Sequence, residues 1–120
     1  MFQGLRTVVY HTEDLQKAKE WYTKLLGFEP YFDEPFYVGF NVGGYELGLD
    51  PDPKSYTKGN HCLMYWGVDD IKTSFERIEK MGAKVHSPIV NVGGEIEVAS
   101  FYDPFGNVIG LIYNPEFKLP

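Results

Sequence analysis

One pattern is written twice in this chain. Asp14 precedes a stretch in which Leu15, Ala18, Tyr22, Leu25 and Leu26 recur at helical spacing, and Gly27 follows it. Asp70 precedes Ile71, Phe75, Ile78 and Met81 at similar spacing, and Gly82 follows. An aspartate can accept the free N–H groups of a first helical turn, and a glycine can take the left-handed conformation that ends one. Seven residues before each aspartate stand Thr7 and Leu63, inside the strand-like runs 5–10 (LRTVVY) and 61–68 (HCLMYWGV). After the first helix, runs 36–42 and 45–49 flank Gly43-Gly44, a two-residue hairpin signal. After the second, a short strand near 84–86 is followed by 95–102, the turn DPFGN and 108–113. The halves close alike, with ELGLDP at 46–51 and VIGLIYNP at 108–115. The pattern predicts a duplicated βαβββ unit: module one at 1–50, a polar, breaker-rich linker at 51–59 and module two at 60–115.

Alternation along the strands assigns faces. Val38, Phe40, Val42, Tyr45, Leu47 and Leu49 make one apolar face, while Tyr37, Gly39, Asn41, Glu46 and Gly48 lie on the other. In the second module Cys62, Met64, Trp66 and Val68 fall on the apolar side, and His61, Leu63 and Tyr65 on the opposite one. By the same repeat Val8 and Tyr10 turn inward, and Thr7 and Val9 outward. The amphipathic helices cover the apolar faces, which gives an α+β fold: two βαβββ modules forming a concave mixed sheet with helices on the outer face. The uncovered faces are where a small molecule would bind. Glycines at 39, 48 and 110 put no side chain on that floor, so it is expected to be roomy.

With 120 residues the chain is long enough for a single domain with its own core. Eleven basic against 17 acidic residues leave a formal charge of −6, the wrong field for a phosphate backbone, so no nucleic acid is expected as a partner. No apolar run is long enough to span a bilayer, and the first residues lack the pattern of a secretion signal. The single cysteine, Cys62, excludes an internal disulfide and fits a reducing, cytoplasmic setting. Nucleophile-elbow, phosphate-loop and dinucleotide motifs are missing.

Three stretches carry a family likeness: DLQKAKEWYTKLLGFEP (14–30), GVDDIKTSFERIEKMGAKV (67–85) and FYDPFGNVIGLIYNP (101–115). With their paired βαβββ setting they resemble the vicinal oxygen chelate superfamily, which includes glyoxalase I, extradiol dioxygenases and the fosfomycin and bleomycin resistance proteins. In its metal-dependent members, the resemblance implies, a His or similar ligand stands on the first strand of each module and a Glu on the last. Those positions fall here on Thr7 and Leu63, and on Gly48 and Gly110. Such residues supply neither imidazole nor carboxylate, so neither metal nor other cofactor is expected. Glu46 and His61 each stand two residues, about 7 Å along a strand, from a ligand position.

His11 and His86 read as solvated loop residues, and no two histidines have metal-ligand spacing. Glu97 reads as a rim carboxylate, Cys62 as an inert buried thiol, and Trp21, Tyr22, Phe40, Tyr45, Trp66 and Phe75 as core. The remaining residues of the uncovered faces, Thr7, Tyr37, Asn41, Glu46, Gly48, His61, Leu63, Tyr65 and Gly110, are the expected ligand-binding set. The leading expectation is metal-free binding of a small organic molecule. An alternative is a lyase, isomerase or dioxygenase-type enzyme using His61 or Glu46, and a third is an interaction module without a small ligand. The resemblance also implies a homodimer.

Overall fold

Asp14 accepts the Lys17 N–H at 3.1 Å and starts the first helix, and Asp70 does the same for Thr73 N–H, also at 3.1 Å. The computed structural model describes residues 1, 3–54 and 63–117. His61, Cys62 and most of the expected linker therefore lie outside the described residues. The chain divides into two compact units, Met1–Asn60 and His61–Pro120.

The first unit runs β1 (Thr7–His11), α1 (Leu15–Leu26), β2 (Phe32–Glu34), β3 (Tyr37–Val42) and β4 (Tyr45–Asp50). Its sheet has the order β1-β4-β3-β2, with β1 parallel to β4 and the other pairs antiparallel. Gly27 takes φ +86° and its N–H donates to the Thr23 carbonyl at 2.9 Å, closing α1. Gly43 and Gly44, at φ +61° and +92°, make the tight turn between β3 and β4, closed by the Val42–Tyr45 pair. Ala18 and Tyr22 of α1 bury against Tyr10, Val38, Phe40, Leu47 and Leu49. Val42 and Tyr45, at the hairpin end, are only half-buried and exposed. Beyond the helix's reach the alternation continues without burial.

The second unit repeats the order: β5 (Tyr65–Gly67), α2 (Ile71–Lys80), β6 (Lys84–Gly93), β7 (Ile96–Tyr102) and β8 (Val108–Tyr113). Its sheet order, β5-β8-β7-β6, matches the first, again with one parallel pair. Ile71 and Ile78 bury with Ala99, Phe101, Ile109 and Leu111, and Phe75 packs its ring 4.6 Å from that of Phe101. Buried Asp103 organises the DPFGN turn by accepting the N–H groups of Phe105 and Asn107 at 2.9 and 2.7 Å. The helix ends at Met81 with ordinary geometry, and Gly82, one residue later, takes the left-handed φ of +90°.

Three strands differ from expectation: β5 covers only Tyr65–Gly67 of the expected 61–68, so that Leu63, Met64 and Val68 lie outside it. β2 is three residues long and has no pattern that marks it in sequence. β6 does not stop at residue 86 but continues to Gly93, because register shifts along it fit Pro88 into an edge strand.

Candidate functional site

The first unit gathers its polar side chains over one carboxylate. Glu46 stands on β4, opposite Thr7 of β1 and Asn41 of β3. Tyr37 begins β3, and its hydroxyl donates to Glu46 Oε1 at 2.8 Å. Tyr31, just before β2, donates its hydroxyl to Glu46 Oε2, and the Thr7 hydroxyl also bonds the carboxylate. The Tyr31 N–H donates to the Gly39 carbonyl at 3.0 Å, which ties this residue to the sheet.

The glycines make this packing feasible. A Cβ on Gly39 would stand 3.0 Å from Glu46 Oε2 and 3.2 Å from Tyr31 Cε1. A Cβ on Gly48 would collide with the hydroxyl end of Tyr37. The space over both residues is thus filled by neighbouring side chains, and the expectation of a roomy floor is corrected. Gly110 repeats the arrangement: a Cβ there would stand 2.8 Å from Tyr65 Cδ1 and would crowd the Met64 carbonyl, which accepts the Gly110 N–H at 3.0 Å.

Electrostatically the cluster holds a negative charge. The Tyr31 hydrogen bond, with those of Tyr37 and Thr7, keeps the Glu46 carboxyl below its ordinary range, although partial burial pulls the other way. Tyr37 is pushed well above the usual phenol range, first by burial and then by its bond to Glu46. Tyr31 is raised chiefly by its own bond to Glu46. The result is an ionised carboxylate ringed by neutral phenols. Beside it Phe32 joins Tyr31, Tyr37 and Phe36 in ring contacts with centroids 6.1 to 6.4 Å apart, and Tyr31 and Phe36 are about two-thirds exposed.

Of the expected set, Thr7, Tyr37, Glu46 and Gly48 come together here. Asn41 lies on the same face, but its side-chain oxygen accepts the Gly44 N–H at 2.9 Å and serves the turn. Leu63, Tyr65 and Gly110 belong to the second unit, where Leu63 and Tyr65 are exposed and Gly110 is buried under the Tyr65 ring. His61 lies outside the described residues. Glu97 shares its face with buried Ala99 and Phe101, the helix side, so it is no rim residue of the open face. His11 is not a loop residue: it ends β1, half-buried and opposite Asp50. His86 is not one either, because it lies within β6 and bonds Ser100. Tyr31 has no place in the sequence-based set, since its position depends on β2, which the sequence does not announce.

A divalent ion does not fit the family-type positions. Gly48 is paired with Val9, and Gly110 with Tyr65, so these pairs carry neither imidazole nor carboxylate. Among the described residues no three His, Cys, Asp or Glu side chains come together as a metal-binding group.

The family model of the Glyoxalase/Bleomycin resistance protein/Dioxygenase superfamily matches residues 4–111. Among curated proteins none matches the sequence. Solved structures share the fold at low identity. A glyoxalase-related enzyme from Fulvimarina pelagi is 15% identical with a TM-score of 0.79, covering 99% of this chain and 94% of its own. The fosfomycin resistance protein FosX from Listeria monocytogenes is 18% identical with a TM-score of 0.78, covering 97% of each chain. TioX from Micromonospora sp. ML1 is 18% identical with a TM-score of 0.70, covering 92% of this chain and 98% of its own.

Proposed function

Because the chain belongs to the glyoxalase/bleomycin resistance/dioxygenase superfamily, yet lacks its metal-ligand residues at the matching positions, we propose that it binds a small organic molecule without a metal. The observation that carries this reading is the ionised Glu46 carboxylate on an open sheet face, fixed by Tyr31, Tyr37 and Thr7 beside exposed aromatic rings. A fixed carboxylate supplies charge recognition and the rings supply apolar and cation–π area, which suits an organic cation. The same geometry tells against Glu46 as a general base. Its pKa is lowered and both oxygens already accept phenol protons, whereas a base working near neutrality needs a raised one. FosX is described as a fosfomycin resistance protein, and a resistance role by sequestration is one form this binding could take here. A cytoplasmic homodimer is the expected setting.

The test is a thermal-shift titration of chelator-treated protein with benzylamine, its uncharged isostere benzyl alcohol, and Zn, Ni, Mn and Fe(II) salts. A saturating ligand at a hundred times Kd stabilises a native state by about 2.7 kcal/mol. Saturable stabilisation by benzylamine alone, lost in Glu46→Gln, is the expected result. Equal shifts with both organic probes would remove the carboxylate from the binding role. A shift with a metal ion would overturn the metal-free reading.

A further inference from the structure

The second unit puts a different group at the place where the first holds its carboxylate. Pairing aligns Gly39–Gly48–Val9 in the first sheet with Ser100–Gly110–Tyr65 in the second. Gly39 is covered by Glu46 and Tyr31. Its counterpart Ser100 is covered by His86, whose Nδ1 lies 2.7 Å from Ser100 Oγ. Backbone register explains how His86 gets there. Val85 pairs with Phe101 and Ser87 with Ser100, so β6 advances two residues while β7 advances one, and His86 is the extra residue of a bulge. A bulge re-aims a side chain. Here it carries the imidazole onto the open face, edge-on to the Tyr102 ring with centroids 5.0 Å apart.

The contact with Ser100 bears on the imidazole's tautomer. Ser100 is 3% exposed, and His86 is its side-chain partner. With the Ser100 hydroxyl donating to Nδ1, the ring proton sits on Nε2 of an exposed residue. The open face that carries this N–H also holds other donors. Lys84 pairs with Tyr102 and shares its face, and the Tyr65 and Tyr102 hydroxyls are on exposed residues of the same side. The residues that strand pairing sets on this face, Val98, Ser100, Tyr102, Val108, Gly110 and Ile112 with their partners, include no carboxylate; Glu97 is on the helix side.

From this juxtaposition we infer that the open face of the second unit is an oxyanion site, in which His86 Nε2–H, oriented by Ser100, and Lys84 bind a carboxylate or phosphate group. Ser100 is a positioning residue that fixes the ring without touching the anion. A charge-assisted hydrogen bond from a pre-oriented donor is the interaction that would give such a site its affinity.

The experiment is an NMR titration of the full chain with inorganic phosphate and, separately, acetate, following the His86 ring and the amides of 84–87 and 100–102. Saturable shifts confined to these signals are expected, and the tighter of the two probes names the group. His86→Gln and Lys84→Gln should each weaken binding about tenfold, Ser100→Ala about threefold. Lys17→Gln, which removes a lysine of the other unit, leaves the affinity as it was. The His86 ring carbons should also sharpen into a single rotamer in the parent and broaden in Ser100→Ala, a readout of orientation rather than of folding. Unmoved His86 signals with both anions overturn the inference. So does binding that Lys17→Gln weakens as much as Lys84→Gln, because that marks bulk charge. If His86→Gln fails to fold, Lys84→Gln on the exposed edge strand decides the matter alone.

Discussion

The two units agree on the faces their helices cover and differ on the opposite, open ones. Phe40 and Phe101 occupy equivalent positions and both are fully buried; Leu47 and Ile109 correspond likewise, as do Leu49 and Leu111, and all four are buried. Both helices begin with an aspartate that accepts an N–H three residues on. On the open faces Gly48 and Gly110 still correspond, but the side chains around them do not: Tyr31, Tyr37 and Glu46 build an acceptor cluster in one unit, and His86 with Ser100 stands in the other. Burial constrains a residue's volume and polarity through every neighbour it touches. An open-face position needs only to suit the pleat, so a duplicated fold can carry two chemistries on one backbone plan.

That contrast is sharpest in the core, where the largest effects are expected. Phe40→Ala and Phe101→Ala should each cost about 3–5 kcal/mol, measured by chemical denaturation, because each empties a fully enclosed ring site. Near-equal losses would support equivalence of the two cores. A much smaller loss for Phe101→Ala would show that Phe75, against which its ring packs, can collapse into the space.

Next come the glycines, equivalent in register but not in what surrounds them. Gly110→Ala should destabilise by about 1–3 kcal/mol, since its Cβ meets the Met64 carbonyl, a backbone atom that cannot move without loosening β5 from β8. Gly48→Ala should cost less, because it meets the free end of the Tyr37 side chain. Its effect should instead be chemical: Tyr37 swings off Glu46, and the phenol titrates nearer its ordinary value. Denaturation curves and phenolate absorbance would separate the two outcomes. Equal destabilisation by both substitutions would mean that the Tyr37 ring is as immovable as backbone.

Much of this was legible in the sequence. The caps Asp14 and Asp70, the stop at Gly27, the Gly43-Gly44 hairpin and the alternation in β1, β3 and β4 are local signals whose physics acts within a few residues. The failures at β2 and β6 share one cause, edge strands. β2 is too short to show a period, and β6 hides its period behind bulges that shift inside and outside out of phase. Both site residues that sequence reasoning missed or misplaced, Tyr31 and His86, depend on those strands. Thr7, Tyr37, Glu46 and Gly48 were found because parity in β1, β3 and β4 is regular. What parity cannot say is which side chain leans over a glycine, and so the filled floor emerges only from three-dimensional packing.

The smallest expected effect is the pH response of the open-face cluster; Asp70 at the start of α2 is also held below its ordinary range, first by the Thr73 N–H, so the Glu46 limb is read as a difference between parent and variant. Glu46 has a folded pKa below its ordinary 4.5, so the folded state binds that proton more weakly. Its contribution is complete above the unfolded value and is lost as pH falls through the folded one. Tyr31 and Tyr37 are raised above their ordinary 10.0, so their contribution is complete below that value and is lost as pH rises through the folded ones. The stability gap between the parent and Glu46→Gln should therefore be constant at neutral pH and close on acidification. The gap between the parent and Tyr37→Phe should hold at neutral pH and close only in strong alkali. Both gaps should be modest, because the cluster is open to water that screens its charge. His86→Gln, made in the second unit, leaves the Glu46 acid limb in place. If the acid limb followed His86→Gln instead, the carboxylate cluster would not be the group that titrates.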